Sequence, residues 1–420
     1  MKPGTFHTTL TAKNAFGKNR REFRIESGNK LALTPPMGWN SWYIYYHHVT
    51  ETAMRSAADQ MIASGMADFG YQYVNIDDCW ARQPASTNSE VGGPTRDASG
   101  QILPNTRFPD MKGMVDYIHS KGLKAGIYTS PGPTTCAGFE GSWQHEAQDA
   151  RTFADWGFDF LKYDWCSYTK EAGGKTLADL KKPYLQMWDE VQKQDRDIVF
   201  NLCQYGMGEV WKWGGDGGNC WRTTGDLGAV KDSQLPGFYS IGFSNAKHWE
   251  YARPGAWNDP DYILIGWIGT NHGKDFKHTT LTPDEQYSYM SMWSLMASPL
   301  VFSGSMPKLD TFTLNVLCNA EVIAVDQDSS GNHELFNHDG LIAWIANVPG
   351  SKDRYLALFN TGDIARPVTL PLKDPDFAGV FRVRDLWAHA NLGHVLNEFA
   401  PVLAPHGAGL YRLTAVPIEN

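Results

Sequence analysis

Ala147-Gln-Asp-Ala-Arg-Thr-Phe-Ala-Asp-Trp156 followed by Phe158-Asp-Phe-Leu-Lys-Tyr-Asp164 is a helical run that leads into a short apolar strand. A carboxylate stands directly after that strand. The same unit recurs outward in both directions. Helical stretches at Glu51 to Ser64, Met111 to Ser120 and Pro183 to Lys193 precede strands at Tyr73 to Asp77, Lys124 to Tyr128 and Ile198 to Leu202. Further strands are expected at Asn219 to Arg222, near Ala256-Trp257 and at Pro299 to Phe302. Pro36-Met37-Gly38-Trp39 opens the series and brings the count to eight. Strands alternating with helices of ~10–15 residues form parallel sheets from βα units. Eight units fit a closed (β/α)₈ barrel better than an open sheet.

The expected organisation has three parts. Residues 31–325 form the barrel. Beyond Asp326 the texture changes to short runs at Leu341 to Val348, Arg354 to Asn360, Val368 to Leu372, Phe381 to Leu386 and Gly407 to Leu413, separated by Gly, Pro, Asn and Asp. Helical periodicity is absent there, so residues 326–420 read as an antiparallel β-sandwich domain. Residues 1–30 read as an N-terminal β extension, with strand patterns at Thr9 to Lys13 and Phe23-Arg24-Ile25, or as the remnant of an upstream domain. That segment has no apolar core of the kind a signal peptide needs.

Composition narrows the function. Of 420 residues, 42% are hydrophobic and 20% charged, which supplies a large core and excludes extended disorder. A net charge of −9 argues against a nucleic-acid surface. No apolar run approaches the ~18–20 residues of a membrane span. Aromatics reach 13% with 16 Trp, an excess that suits core filling or the flat C–H faces of a sugar. The six cysteines, Cys79, Cys136, Cys166, Cys203, Cys220 and Cys318, contain no Cys-x-x-Cys pair.

Polar residues gather at the strand ends. Asp77-Asp78, Tyr128, Lys162 with Asp164, Arg222 with Asp226, and Asp259 with Asp261 stand at positions that converge on one barrel mouth. An Asp after a strand is often a helix N-cap. Several at one mouth exceed what capping explains. Metal hydrolysis needs several His ligands, yet His47-His48 are adjacent and in a strand point to opposite faces. No Gly-x-Ser-x-Gly elbow occurs, and Gly214 to Gly218 reads as a turn rather than a phosphate loop. Paired carboxylates among aromatics leave glycoside hydrolysis, with neither metal nor cofactor.

The run Thr34-Pro-Pro-Met-Gly-Trp-Asn-Ser-Trp42 and the run Tyr71-Gln-Tyr-Val-Asn-Ile-Asp-Asp-Cys-Trp80 resemble glycoside hydrolase family 27, the α-galactosidases and α-N-acetylgalactosaminidases. So do Gly126-Ile-Tyr128, Thr135-Cys-Ala-Gly-Phe139, Phe153-Ala-Asp-Trp-Gly157, Lys162-Tyr-Asp164 and Trp257-Asn-Asp-Pro-Asp261. The resemblance implies that Asp164 is the nucleophile, ionised beside Lys162, and Asp226 the acid/base. It implies that Asp77 and Asp78 grip the 4- and 6-hydroxyls, Trp42 and Tyr128 line the pocket, and Lys162 and Arg222 sit near carboxylates and hydroxyls. Asp261, Gln204 and Met207 are assigned to the 2-position side. A disulfide between Cys136 and Cys166 is implied at the mouth, and with it an oxidising compartment, secreted or periplasmic.

Some positions depart from the family. Tyr43 to Val49 carries no cysteine, so Cys79 lacks its familiar partner. Tyr262 stands where Met is common. The loop Leu202-Cys-Gln-Tyr-Gly-Met207 resembles a bacterial variant. The expected function is retaining exo-hydrolysis of terminal α-galactosides. The alternatives are an α-N-acetylgalactosaminidase, a β-L-arabinopyranosidase, and a non-catalytic barrel that binds galactosides.

Overall fold

The computed structural model describes residues 4–28, 30–227, 237–372 and 379–416. The chain opens with an antiparallel ribbon, β1 (Gly4–Asn14) and β2 (Gly17–Ser27), paired along its whole length from Gly4↔Ser27 to Asn14↔Gly17. Then come β3 (Met37–Asn40), β4 (Tyr73–Asn75), β5 (Lys124–Thr129), β6 (Phe160–Asp164), β7 (Val199–Cys203), β8 (Cys220–Arg222), β9 (Trp257–Asp259), β10 (Trp267–Thr270), β11 (Asp275–His278) and β12 (Leu300–Phe302). Eight of these form one sheet in the order β12-β3-β4-β5-β6-β7-β8-β9, and every pairing is parallel. The sheet curls until Ile263, just past β9, bridges Phe302 of β12, with Ile263 N donating to Val301 O at 2.8 Å. That bond closes the ring.

Helices wrap the barrel through spaced apolar faces. In Glu51–Ala63 the buried positions are Met54, Ala57, Ala58 and Met61, the three-four spacing of one helical stripe. Thr50 caps its N-terminus by accepting from Ala53 N at 3.2 Å. Pro183 does not start a helix as the sequence suggests. The helix runs Leu177–Gln192, begins at a capping box between Thr176 and Asp179, and carries a buried Pro183 inside. Cap and packing together override the missing N–H. Inside the barrel, Gly126 is required because a Cβ there would lie 2.0 Å from Asn75 Oδ1.

The C-terminal region adds β13 (Ser330–His338), β14 (Leu341–Asn347), β15 (Arg354–Asn360), β16 (Arg366–Pro367), β17 (Leu370–Pro371), β18 (Val380–Asp385), β19 (Ala390–Val395), β20 (Glu398–Phe399), β21 (Val402–Leu403) and β22 (Ala408–Val416). Six form the sheet β13-β14-β15-β22-β18-β19, and the ladders β16-β21 and β17-β20 lie over it. Strand alternation gives β14 two buried faces. Ala343 and Ile345 join Leu356, Leu358, Val368, Phe399 and Leu413 in the sandwich core. Ile342, Trp344 and Ala346 face the other way and belong to the same apolar cluster as the barrel. The side chains of Glu321 and Arg384 add an ion pair between the two parts at 2.6 Å.

Candidate active site

Period-two alternation in β6 puts Lys162 and Asp164 on one face, toward the barrel axis. Leu161 and Tyr163 point outward to the apolar shell. Asp77-Asp78 follow β4, Tyr128 lies on β5, Arg222 ends β8, Asp226 follows it, and Asp261 follows β9. All line one pocket with Trp42 and Cys136. Among the described helices, none is N-capped by Asp77, Asp78, Asp164 or Asp261. The side-chain caps are made by residues such as Thr50, Asp110, Thr176, Thr282 and Asp310.

Asp164 is 5% exposed, and each of its oxygens accepts a tyrosine hydroxyl. Tyr205 donates to Oδ1 at 2.6 Å and Tyr128 to Oδ2 at 3.0 Å. Burial pushes the Asp164 carboxyl above its ordinary range, while Lys162 and the Tyr205 hydrogen bond pull it back and Asp226 and Asp77 add to the rise. The Lys162 ammonium bonds Asp77 Oδ2 at 2.9 Å and lies between the Tyr128 and Tyr262 rings, 5.1 and 5.0 Å from their centroids. Its direct partner is therefore Asp77, and it acts on Asp164 through space.

Asp77 gathers Asn40, Lys162 and Tyr262 as donors on one oxygen, at 2.9, 2.9 and 3.0 Å. Asp78 accepts from Cys79 N, Thr135 Oγ1 and Ala137 N at 2.6, 2.7 and 2.9 Å. Burial nevertheless raises its carboxyl to about 7. Asp226 is different: its side chain is 45% exposed, and its Oδ1 accepts from Arg222 at 3.1 Å. Arg222 also lies 3.3 Å from Asp261 Oδ2. Burial raises Asp261 to about 6, against the pull of Arg222. Asp261 adopts φ 90°, a backbone strain that aims its carboxylate inward. Its Oδ1 is buried with no donor among the described residues, and its Oδ2 accepts from Tyr43 at 2.8 Å.

Gln204 and Met207 do not line this pocket. Gln204 is fully buried behind it, with neither amide atom bonded to a described residue, and Met207 packs against the core. Tyr205 takes the lining position between them, carried by a left-handed backbone at φ 62° that continues into Gly206 at φ 82°. Tyr43, Tyr205 and Tyr262 are pocket residues to which the sequence reading gave no role. Cys136 and Cys166 form a disulfide with a Cα–Cα separation of 4.8 Å. Tyr128 Oη lies 3.3 Å from Cys166 Sγ, and Tyr205 Oη lies 3.8 Å from Cys136 Sγ. The sulfurs therefore buttress both hydroxyls that hold Asp164. Cys79, Cys203, Cys220 and Cys318 are free thiols. Among the described residues, metal-ligand spacing is met only by Cys136, Asp164 and Cys166, whose sulfurs are spent in the disulfide. No described helix is long and apolar enough to cross a membrane.

The chain matches two family descriptions, "Alpha galactosidase A" over residues 34–328 and "Alpha galactosidase C-terminal beta sandwich domain" over residues 338–413. It is 36% identical over 402 residues to alpha-galactosidase 2 of Arabidopsis thaliana, spanning 93% of this chain and 92% of that protein. Against alpha-galactosidase A of Cellvibrio japonicus it is 37% identical over 339 residues, with 79% and 76% covered. Among solved structures, alpha-galactosidase I of Mortierella vinacea superposes with a TM-score of 0.81 at 30% identity, covering 93% of this chain and 99% of that one. A family 27 β-L-arabinopyranosidase of Geobacillus stearothermophilus gives 0.80 at 26% identity, covering 93% and 98%.

Proposed function

The chain belongs to glycoside hydrolase family 27, and from that premise we propose that it releases terminal α-linked D-galactose with retention of configuration. In the first step Asp164 attacks carbon 1 while the glycosidic C–O bond breaks. Asp226 passes its proton to the departing oxygen, which leaves a galactosyl ester on Asp164. In the second step Asp226, now a carboxylate, takes a proton from water as the water oxygen attacks carbon 1. The ester bond breaks, Asp164 is regenerated, and the proton stays on Asp226 for the next cycle.

The observation that carries this reading is the contrast between the two carboxylates. Asp164 is buried and held at both oxygens by Tyr205 and Tyr128, as an attacking group needs. Asp226 is half-exposed beside Arg222, as a group that meets leaving groups and water needs. Asp77, Asp78 and Asp261 would accept from sugar hydroxyls, since all three line the pocket. Retention of Asp at both 77 and 78 favours a sugar with a 6-hydroxyl over arabinopyranose. The 2-position side is assigned to Asp261 and to Tyr205, whose ring takes the lining place that Gln204 and Met207 leave. The Cys136–Cys166 disulfide supports a secreted or periplasmic location as part of the same proposal.

A panel of nitrophenyl glycosides tests it. The α-galactoside should exceed both the β-L-arabinopyranoside and the α-N-acetylgalactosaminide in kcat/KM, the latter by at least ~100-fold, or ~3 kcal/mol. Comparable turnover of the N-acetyl sugar would move the chain to α-N-acetylgalactosaminidase. No turnover of any member would leave only a galactoside-binding barrel.

A further inference from the structure

Across the wall formed by Cys136-Ala137 and by Trp42 with His47 lies a second cavity on the same mouth. Its empty volume is about 950 Å³, against about 340 Å³ for the acidic pocket. The Trp42 and His47 rings lie 6.1 Å apart, and Ala137 N donates to Asp78, so the two spaces share structure. The titratable and charged side chains facing the second cavity are His47, His48, Glu90, Arg107, His272 and Lys274. That is two fixed cations and three imidazoles against one carboxylate, on a chain whose net charge is −9.

Tight packing assembles this cluster from distant segments. His47 and His48 sit in a 3₁₀ turn, Tyr46–His48, which turns both to one cavity rather than to opposite faces. The β10–β11 loop presses on that turn. A Cβ at Gly273, φ +85°, would lie 2.0 Å from Tyr45 O. Asn271 and His272 also take left-handed backbones, φ 48° and 54°, and the His272 ring comes 6.0 Å from that of His47. An Arg107 guanidinium N–H donates to His47 O, while its Nε is buried with no bond to a described residue. Lys274 forms no ion pair with a described residue, and it stands exposed.

We propose that this cavity receives the anionic end of the leaving group, so that preferred substrates carry a carboxylate or sulfate on the unit beyond galactose. The proposal rests on the α-galactosidase reading and adds the substrate class to it. Cations left facing one another repel, and an incoming anion relieves that repulsion. Burial, with His272, His48 and Arg107 nearby, holds His47 below the usual imidazole range. Burial, Lys274, Arg107 and His272 do the same to His48, and Glu90 opposes them. Acid therefore adds positive charge here, and a bound anion favours the same protonation.

Matched open-chain substrates test this on the whole protein: 6-O-α-D-galactosyl-D-gluconate, its neutral glucitol counterpart, and the glucitol bearing a sulfate at carbon 1. At low ionic strength and near neutral pH, at least one anion should exceed the neutral glucitol in kcat/KM by roughly tenfold, as two partly screened charge pairs allow. The ratio should shrink in about 0.5 M salt and grow on mild acidification. Lys274→Gln should cut it about threefold, and Lys274→Glu more. Taking the ratio within each protein removes any general loss of activity. The larger of the carboxylate and sulfate ratios identifies the natural anion. Equal or better turnover of the neutral glucitol, or a ratio indifferent to both Lys274 changes, overturns the proposal. Nitrophenyl α-galactoside is assayed alongside. Its turnover with no anion preference defeats this inference alone, whereas its failure defeats the function on which the inference rests.

Discussion

At the floor of the barrel mouth, Asp164 and Asp77 are buried carboxylates whose oxygens already accept bonds from protein donors. At the rim, His47, His48, His272 and Lys274 are exposed on short loops. The floor is made at strand ends, where the sheet fixes direction and burial makes every misplacement expensive. The rim is made of turns that press on one another. The floor suits a charge that must attack one atom in one direction. The rim suits contacts with a group that varies from substrate to substrate.

The floor should therefore be far less forgiving. Asp164→Asn keeps the shape and removes the attacking charge, and kcat should fall at least ~10³-fold, equivalent to ~4 kcal/mol. Steady-state kinetics on an aryl α-galactoside reads this, and activity within tenfold of the parent protein contradicts the assignment. Asp226 stands between floor and rim. Asp226→Ala should depress substrates with poor leaving groups by ~10²-fold or more, and activated aryl galactosides much less. Equal losses on both would give Asp226 some other task.

Tyr205 should show a smaller effect. Its hydroxyl favours the ionised form of Asp164, so Tyr205→Phe removes an interaction that lowers that carboxyl's pKa. Asp164 then gains its proton at higher pH. The acid limb of kcat/KM should move upward, with a loss of ~10–100-fold at the optimum, the range for a hydrogen bond to a charged group. A pH profile measures both. An unmoved acid limb would reduce Tyr205 to a wall.

The sequence carried the floor well and the rim poorly, for physical reasons. Lys162 and Asp164 are two residues apart in a strand, so their shared face is readable from period alone. Asp77, Arg222 and Asp261 follow from the same strand-end logic. The tyrosines do not. Tyr205 reaches Asp164 from 41 positions away, Tyr262 reaches Asp77 from 185, and Tyr43 reaches Asp261 from 218. No local pattern encodes such bonds, although a Tyr-Gly pair after a strand end is a turn signal that went unused. His47-His48 misled because a strand was the assumed backbone, and a 3₁₀ turn reverses the consequence. In the C-terminal sheet, β14 and β15 were legible from their apolar runs. The sheet-edge strands β13 and β19 are largely exposed and offer no such run. The β10–β11 hairpin was missed similarly, since every residue of β11 is exposed.

As nucleophile, Asp164 would form a covalent galactosyl ester. A 2-deoxy-2-fluoro-α-D-galactosyl fluoride slows departure of the ester by destabilising positive charge at carbon 1, so the intermediate should accumulate. The measurement is peptide mapping by mass spectrometry after brief exposure to that reagent. One fluorogalactosyl adduct is expected, on the peptide containing Asp164, and none in Asp164→Asn. An adduct on Asp226, or turnover of the reagent with inversion and no adduct, would contradict it.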